Sequence, residues 1–434
     1  MSTDAVIAGG GQLTMHAWAM ATAAVVAAAC ALVGTLLVVR RMSLIGDAIS
    51  HAVLPGIAVA VLAGGAPGGG LTFLGAVAAA LVTVWLTQGL RDAGGLAEDA
   101  GAGVAFTTLF AIGVLIVSAA GPGTHIDPAC VLSGDLAFVP FDTLPVAGIE
   151  VPRAFLSASA VLAILFVAAA ATWKLQVATA FDPAAARAAG LPVAAVTTGL
   201  LVATALATVA SFDAVGAVLV VALLVAPAAA AELLTRRLHA MAAVAVLLGV
   251  AAAGLGYVVA WRTGTNAAGM IAVVLGLEYL LAALCAPEEG VVAQAIARLR
   301  LAWRVAAEDR IAAMWRAEEA GGGAESATPR PGRLGERLLE ALVGWWLRHD
   351  GSLEPRGYGW RLSARGRHEA EMVVRSHRLW EAWLGRHAEI PVDHLHPPAE
   401  WVEHHLGAAM RRRLEAETGW RESDPHGRGI PPEA

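Results

Sequence analysis

The chain has 434 residues, a net charge of −6 and a mean hydropathy of +0.63, with 57% hydrophobic residues, against roughly 45–50% in an ordinary soluble domain. Neither half is basic enough to point to nucleic acid, and three scattered cysteines, Cys30, Cys130 and Cys285, exclude a disulfide framework and a thiolate zinc motif. Charge is unevenly placed: residues 1–286 hold 22 of the 66 Asp, Glu, Lys and Arg residues and residues 287–434 hold 44, so the first part reads as a polytopic membrane domain and the second as soluble.

Taken in chain order, long apolar runs lie at about 16–39, 49–64, 70–90, 103–120, 154–173, 193–211, 213–234, 241–261 and 267–286. Most are near the ~20 residues that carry a helix across a bilayer. The 193–234 stretch reads either as one broken unit or as two spans, so eight or nine spans are expected. The first run lacks a basic leader and a small-residue cleavage pattern and reads as a retained span. Residues 121–152, with their Gly and Pro and Asp135, read as a loop holding a short or re-entrant segment. With the N-terminus outside and nine spans, the inside loops carry Arg40, Arg41, Arg91, Lys174, Arg187, Arg236 and Arg237, and the outside loops only Arg153 and Arg262. That orientation puts the soluble tail in the cytoplasm. The spans are rich in Ala, Gly and Val, which suits close helix packing in lipid. The fold expected is an all-α polytopic membrane domain (1–286), an amphipathic helix and Gly/Pro-rich linker (287–333) and a small, mainly α cytoplasmic domain (334–434).

Several polar groups interrupt the apolar half. In "RRMSLIGDAISHAVLPG" from Arg40, Asp47 and His51 stand four apart and share one helix face. A carboxylate with an imidazole suits Mn²⁺, Zn²⁺ or Fe²⁺, and ionisable groups at membrane depth mark pathways. The alternative is a capping Asp47 and a His51 bonded to a neighbouring helix. Asp213 can face the same path; Asn266 and Glu278 read better as a cap or interhelical hydrogen bond, and His125 and Asp127 as a solvated loop. "FDPAAARAAG" from Phe181 reads as Asp182 at the N-cap, Pro183 at N1, a short Ala-rich helix with Arg187, and Gly190 as its end.

"RRMSLIGDAISHAVLPGIAVA", "FDPAAARAAGLPVAAV" and "AVGAVLVVALLVAPAAAAELLTRRL" from Ala214 together resemble the permease subunits of ABC transporters for manganese, zinc and iron, over most of residues 12–286. The resemblance implies that Asp47 and His51 line the ion path near its outer side, that Phe181, Asp182, Pro183, Arg187 and Gly190 dock on the ATPase, that two permeases pair as a homodimer, and that an extracytoplasmic metal-binding protein delivers the ion. Nowhere does a G-x-x-x-x-G-K-[ST] loop occur, and Lys174 is the only lysine. The chain is therefore not expected to be an enzyme: ATP is bound by a partner chain.

In the tail, "VVAQAIARLRLAWRVAAEDRIAAMWRAEEA" is an amphipathic helix, followed by the linker "GGGAESATPRPGR" and one clear helix, "GERLLEALVGWWLRH". His377 and Glu381 are four apart; His396 precedes Glu400 by four; Glu400, Glu403 and His404 share a face. This nitrogen and oxygen set suits Mn²⁺, Fe²⁺ or Zn²⁺; the alternative is a solvated acidic face. "RLSARGRHEAEMVVRSHRLWEAWL", "VDHLHPPAEWVEHHLG" and "DPHGRGIPP" resemble the metal-dependent repressors related to the diphtheria toxin repressor, over about 357–431. The resemblance implies one metal site at His377, Glu381 and His396 and another at Glu400, Glu403 and His404, with Glu400 where manganese regulators carry Glu and iron regulators Cys. Only residues 334–356 precede the wing-like "GYGWRLSARGR", so a complete winged helix-turn-helix, its first-helix ligands and DNA binding are not expected.

The function expected is metal import, manganese favoured and zinc or iron possible as substrates, with a metal-sensing or dimerisation module. The alternative is a membrane-tethered metal sensor without transport.

Overall fold

The computed structural model describes residues 3–65, 69–94, 98–119, 136–146, 148–321, 334–356, 359–388, 391, 394–418 and 423–432. It divides into two compact units, Met1–Ala293 and Gln294–Ala434.

The first unit is a helical bundle: α1 (Thr3–Val39), α2 (Leu44–Ala52), α3 (Leu54–Leu62), α4 (Gly70–Gly94), α5 (Glu98–Ala119), α6 (Arg153–Phe181), α7 (Pro183–Ala188), α8 (Val193–Leu234), α9 (Leu238–Thr263) and α10 (Ala267–Cys285). Among the described residues, nine segments are long and apolar enough to span a membrane, with α2 and α3 together forming one and α8 two. The 193–234 stretch is a helical run broken at Gly216, whose φ of 74° and ψ of 168° only glycine adopts easily; Val193–Phe212 and Ala214–Leu234 each have spanning length. Where a loop with a short or re-entrant segment was expected, the described part of 121–152 contains a hairpin, β1 (Thr143–Val146) paired antiparallel with β2 (Ile149–Pro152).

The core forms around α1 and α8. Cys30, Leu37, Ile49, Leu200, Leu219, Leu223, Leu224 and Ile271 are all buried in it. The helices approach closely because their contact faces lack side chains: a β-carbon on Gly34 would overlap the Leu224 carbonyl, and one on Gly56 the Gly75 carbonyl. Since backbone cannot give way as a flexible side chain can, Gly34→Val is expected to cost about 3 kcal/mol. The check is a thermal unfolding midpoint in detergent, where a value matching the parent would remove this packing argument.

Arg40 ties three helix ends together, donating to Gln176 Oε1 (2.8 Å) and Thr179 Oγ1 (2.6 Å) of α6 and to Thr197 Oγ1 (3.3 Å) of α8. Gln88 near the end of α4 reaches Thr198 of α8. The Arg40 end of α1 therefore shares one end of the bundle with α7. At the opposite end His16 meets Tyr257 at 2.9 Å and Trp18 stacks edge-on with Phe155.

The second unit contains most of α11 (Val291–Glu319), then α12 (Leu334–His349), the hairpin β3 (Leu353–Arg356) and β4 (Gly359–Leu362), α13 (Ala364–His387), α14 (His396–Val402) and α15 (Ala408–Thr418). The hairpin's second strand lies in the wing-like stretch and its first strand just before it, with Leu353 opposite Leu362. Ala307, Ile311 and Met314 of α11 are buried with Val343, Leu347, Leu353, Leu362 and Ala370, so α11 is part of this unit's core. Ser363 caps α13 by accepting from Gly366 N.

Candidate functional site

Asp47 and His51 sit in the first and last turns of the short helix α2, with Asp47 Oδ1 3.5 Å from His51 Nε2. Ile45, Ala48, Ile49 and Ala52 are buried against the bundle, whereas the Asp47 and His51 side chains are 45% and 37% exposed. The His51 ring lies beside Phe106 and Phe110 of α5. Pro55 sits at the start of α3 and has no N–H to give the His51 carbonyl four residues earlier. The span is therefore discontinuous next to the pair, the arrangement in which membrane helices present side chains and backbone to an ion. Along the chain Asp47 follows Arg41 by six residues and His51 precedes the far end of the span at Leu62 by eleven, so the pair falls in the first half of the span Leu44–Leu62. The Asp213 side chain, and His125, Asp127 and Asp135, lie outside the described residues. Asn266 is a helix cap, its Oδ1 accepting from Gly269 N at 2.9 Å.

At the basic end of the bundle, α7 forms as its sequence dictates. Asp182 Oδ1 accepts from Ala184 N and Ala185 N, both at 2.9 Å, Pro183 occupies the first turn, and Gly190 (φ 78°) takes the left-handed conformation beyond the end. Arg187 Nε donates to the Pro183 carbonyl. Phe181, immediately before the cap, is 92% exposed. A large aromatic side chain left open beside a rigid capped turn is a ready anchor for another protein.

In the second unit, His377 is the hub. Its Nε2 lies 3.1 Å from Glu381 Oε1 and 2.8 Å from His396 Nδ1, and its Nδ1 lies 2.5 Å from Glu403 Oε2. Glu400 approaches His396 at 3.5 Å. His404 Nδ1 is 2.7 Å from Glu308 Oε2, and its Nε2 is 3.3 Å from Asp309 Oδ1 and 3.6 Å from Glu403 Oε1. Arg316 also reaches Glu403 at 3.4 Å. Three donor sets bring their ligand atoms within 4.8 Å of one another: His377, Glu381 and His396; Asp309, Glu403 and His404; and Glu381, Asp424 and His426. All donors are nitrogen or oxygen, which fits Mn²⁺, Fe²⁺ or Zn²⁺.

Two further acidic side chains reach this cluster from outside the repressor-like stretch. Glu308 and Asp309 of α11 stand against His404 although nearly a hundred residues precede it, because α11 packs into the same core across the Gly/Pro-rich segment. Glu308, Asp309, Asp424 and His426 escaped the sequence reading; the adjacent acids of "AAEDRIAA" were the available signal.

The charges are strongly coupled. Burial works against charging His404, but Asp309 and Glu308 outweigh it and raise its pKa to about 9. Burial likewise opposes ionisation of Glu381, yet His377, with His396 and His426, holds it down at about 2. Burial also opposes the charge on His377, whose pKa nevertheless goes up under Glu381 and Glu403.

Comparison with known proteins follows the same division. Residues 12–286 match the ABC 3 transport family, and residues 363–432 match the metal binding and dimerisation domain of iron dependent repressors. The manganese transport system membrane protein MntD of Bacillus subtilis is 41% identical over 290 residues, covering 67% of this chain and 98% of that protein. The zinc transport system membrane protein TroD of Treponema pallidum is 35% identical over 270 residues, covering 62% and 74%. Among solved structures, PsaBC from Streptococcus pneumoniae in complex with Fab aligns at a TM-score of 0.53 and 27% identity, over 63% of this chain and 92% of that one. With a family match over residues 12–286, where nine candidate spans lie among the described residues, the chain belongs to the ABC 3 transport family and carries a repressor-type metal-binding region behind its membrane domain.

Proposed function

We propose that the protein is the permease subunit of an ABC importer for a divalent transition metal, manganese favoured, working as a homodimer with a separate ATPase and an extracytoplasmic binding protein. The observation that carries this reading is the half-open Asp47 and His51 pair on a discontinuous span. Two ionisable side chains at membrane depth are costly against lipid, so the face they occupy lines a water-filled path or meets a second copy. The names of the two relatives, one a manganese and one a zinc system, support the substrate class. The wholly nitrogen and oxygen donor sets of the second unit suit Mn²⁺, Fe²⁺ and Zn²⁺ alike, and the place of Glu400 in the repressor-like region favours manganese among them. Asp213 remains a candidate path residue. Proteoliposomes containing this chain, its ATPase and its binding protein should accumulate Mn²⁺ when ATP is supplied, and ATP-independent or absent accumulation would sink the reading.

The ATPase, which binds the ATP, docks on residues 181–190. Phe181→Ala is expected to weaken ATPase association by about 2 kcal/mol, roughly thirtyfold, as loss of an exposed aromatic anchor does. Because the side chain is 92% exposed, the permease fold should be untouched. Unchanged co-purification with the ATPase would reject the docking assignment.

The C-terminal unit lies in the cytoplasm, where the basic loops of the bundle point, and binds the imported metal. His377, Glu381 and His396 would hold one ion. Glu403 and His404 with Asp309, and Glu400 nearby, would hold another. Bound metal would supply positive charge that neutralises these clustered carboxylates. Since α11 contributes Asp309 and starts six residues after the last span, filling the site restrains the permease when cytoplasmic metal is in excess.

A further inference from the structure

We propose that the first half of α11 lies along the bilayer surface where the last span ends and engages anionic phospholipid headgroups there. The chain leaves α10 at Cys285 and enters α11 at Val291. Five intervening residues reach at most ~18 Å when fully extended, so the start of α11 is held close to that surface.

From 294 to 302 every residue is exposed, about two and a half turns of helix. Val292, Ile296 and Leu299 are 49%, 43% and 68% exposed and, spaced by four and three, form one apolar stripe. The stripe continues into Trp303, which packs on the second unit's core and meets the Trp346 ring. Arg298, Arg300 and Arg304 fall on the flanks and back of the same segment, and no Asp or Glu occurs from 290 to 307.

An apolar stripe bordered by guanidinium groups, on a helix tethered to a membrane span, has the chemistry of an interfacial helix. The apolar side chains enter the headgroup boundary while the arginine stems extend outward to phosphate. A second copy of the segment fits less well, because pairing the stripes would bring two sets of three arginines together with no acid to offset them.

Single nitroxide labels at Ile296→Cys, Leu299→Cys and Arg300→Cys test this in the full-length chain with Cys30, Cys130 and Cys285 replaced. The chain would be placed in nanodiscs of phosphatidylcholine alone or with phosphatidylglycerol. Labels at 296 and 299 should be relaxed mainly by oxygen and the label at 300 mainly by a water-soluble nickel chelate. The contrast should grow severalfold with phosphatidylglycerol and shrink when Arg298, Arg300 and Arg304 are changed to Gln in the 296 and 299 variants. Equal nickel access at all three positions would mean a solvated helix and overturn the proposal. Shielding of 296 and 299 from both reagents would mean a protein partner instead, and a contrast indifferent to phosphatidylglycerol would remove the headgroup assignment.

Discussion

Asp47→Ala and His51→Ala are each expected to abolish ATP-driven metal uptake by the reconstituted transporter while leaving the bundle folded. The two side chains contribute little to packing, since the buried face of α2 is made by Ile45, Ala48, Ile49 and Ala52. Their mutual contact, at 3.5 Å between partly open groups, is worth at most about 1 kcal/mol. His51 adds ring contacts to Phe106 and Phe110 at centroid separations of 6.0 and 6.1 Å, again about 1 kcal/mol. An ion crossing the bilayer has no such margin. It has shed water, and each missing ligand leaves positive charge unmatched in a medium of low dielectric constant. Asp47→Asn separates charge from shape: it keeps the size and a carbonyl oxygen but removes the negative charge, so uptake should remain lost. Normal uptake by Asp47→Ala or His51→Ala, with monodisperse protein, would remove the pair from the path.

The membrane half was largely legible because hydropathy is a local property. Runs of Ala, Val and Leu read as spans, and Asp182, Pro183 and Gly190 each act within one turn of α7, so that helix was readable residue by residue. The break between α2 and α3 was less visible, since Pro55 interrupts a run that still reads as one apolar segment. The hairpin at 143–152 was missed because its strands are short and contain Pro145 and Pro152, which weaken any strand pattern. The C-terminal site was half legible. Spacings of three and four along α13 and α14 placed His377 beside Glu381 and His396 beside Glu400, but no spacing rule joins Asp309 to His404. That pairing is made by the burial of Ala307, Ile311 and Met314 against α12 and the β3–β4 hairpin, a tertiary event on the far side of an apparent linker.

Divalent metal is expected to bind the C-terminal unit, to stabilise it, and to bind more tightly as pH rises. Asp47→Ala should serve as the parent, so that calorimetry on the full-length chain reports the C-terminal sites and not the path. A ligand that binds only the folded unit stabilises it by about 2.7 kcal/mol at a hundredfold excess over Kd, a shift visible in a thermal melt. Asp309→Ala should weaken binding while leaving His377, Glu381 and His396 intact, and Glu403→Gln should affect both sets because Glu403 contacts His377 and His404 alike. Gln is preferred to Ala there, since Arg316 and His377 would otherwise lose a buried partner. The pH dependence follows from His404. Although burial disfavours its charge, Asp309 and Glu308 raise its pKa to about 9, so at neutral pH it carries a proton that a metal must displace. Binding at pH 7 should therefore release a proton, readable from the heat measured in two buffers of different ionisation enthalpy. Apparent affinity should fall by about tenfold for each pH unit below that pKa, the linkage expected for one displaced proton. For the metal-free unit the sign is opposite: the stability that protonated His404 provides is complete below its unfolded pKa and is lost as pH rises through about 9. If Mn²⁺, Fe²⁺ and Zn²⁺ all fail to bind the Asp47→Ala chain, or if Asp309→Ala combined with Glu403→Gln leaves binding intact, the sensing role fails and the unit is a metal-independent dimerisation element.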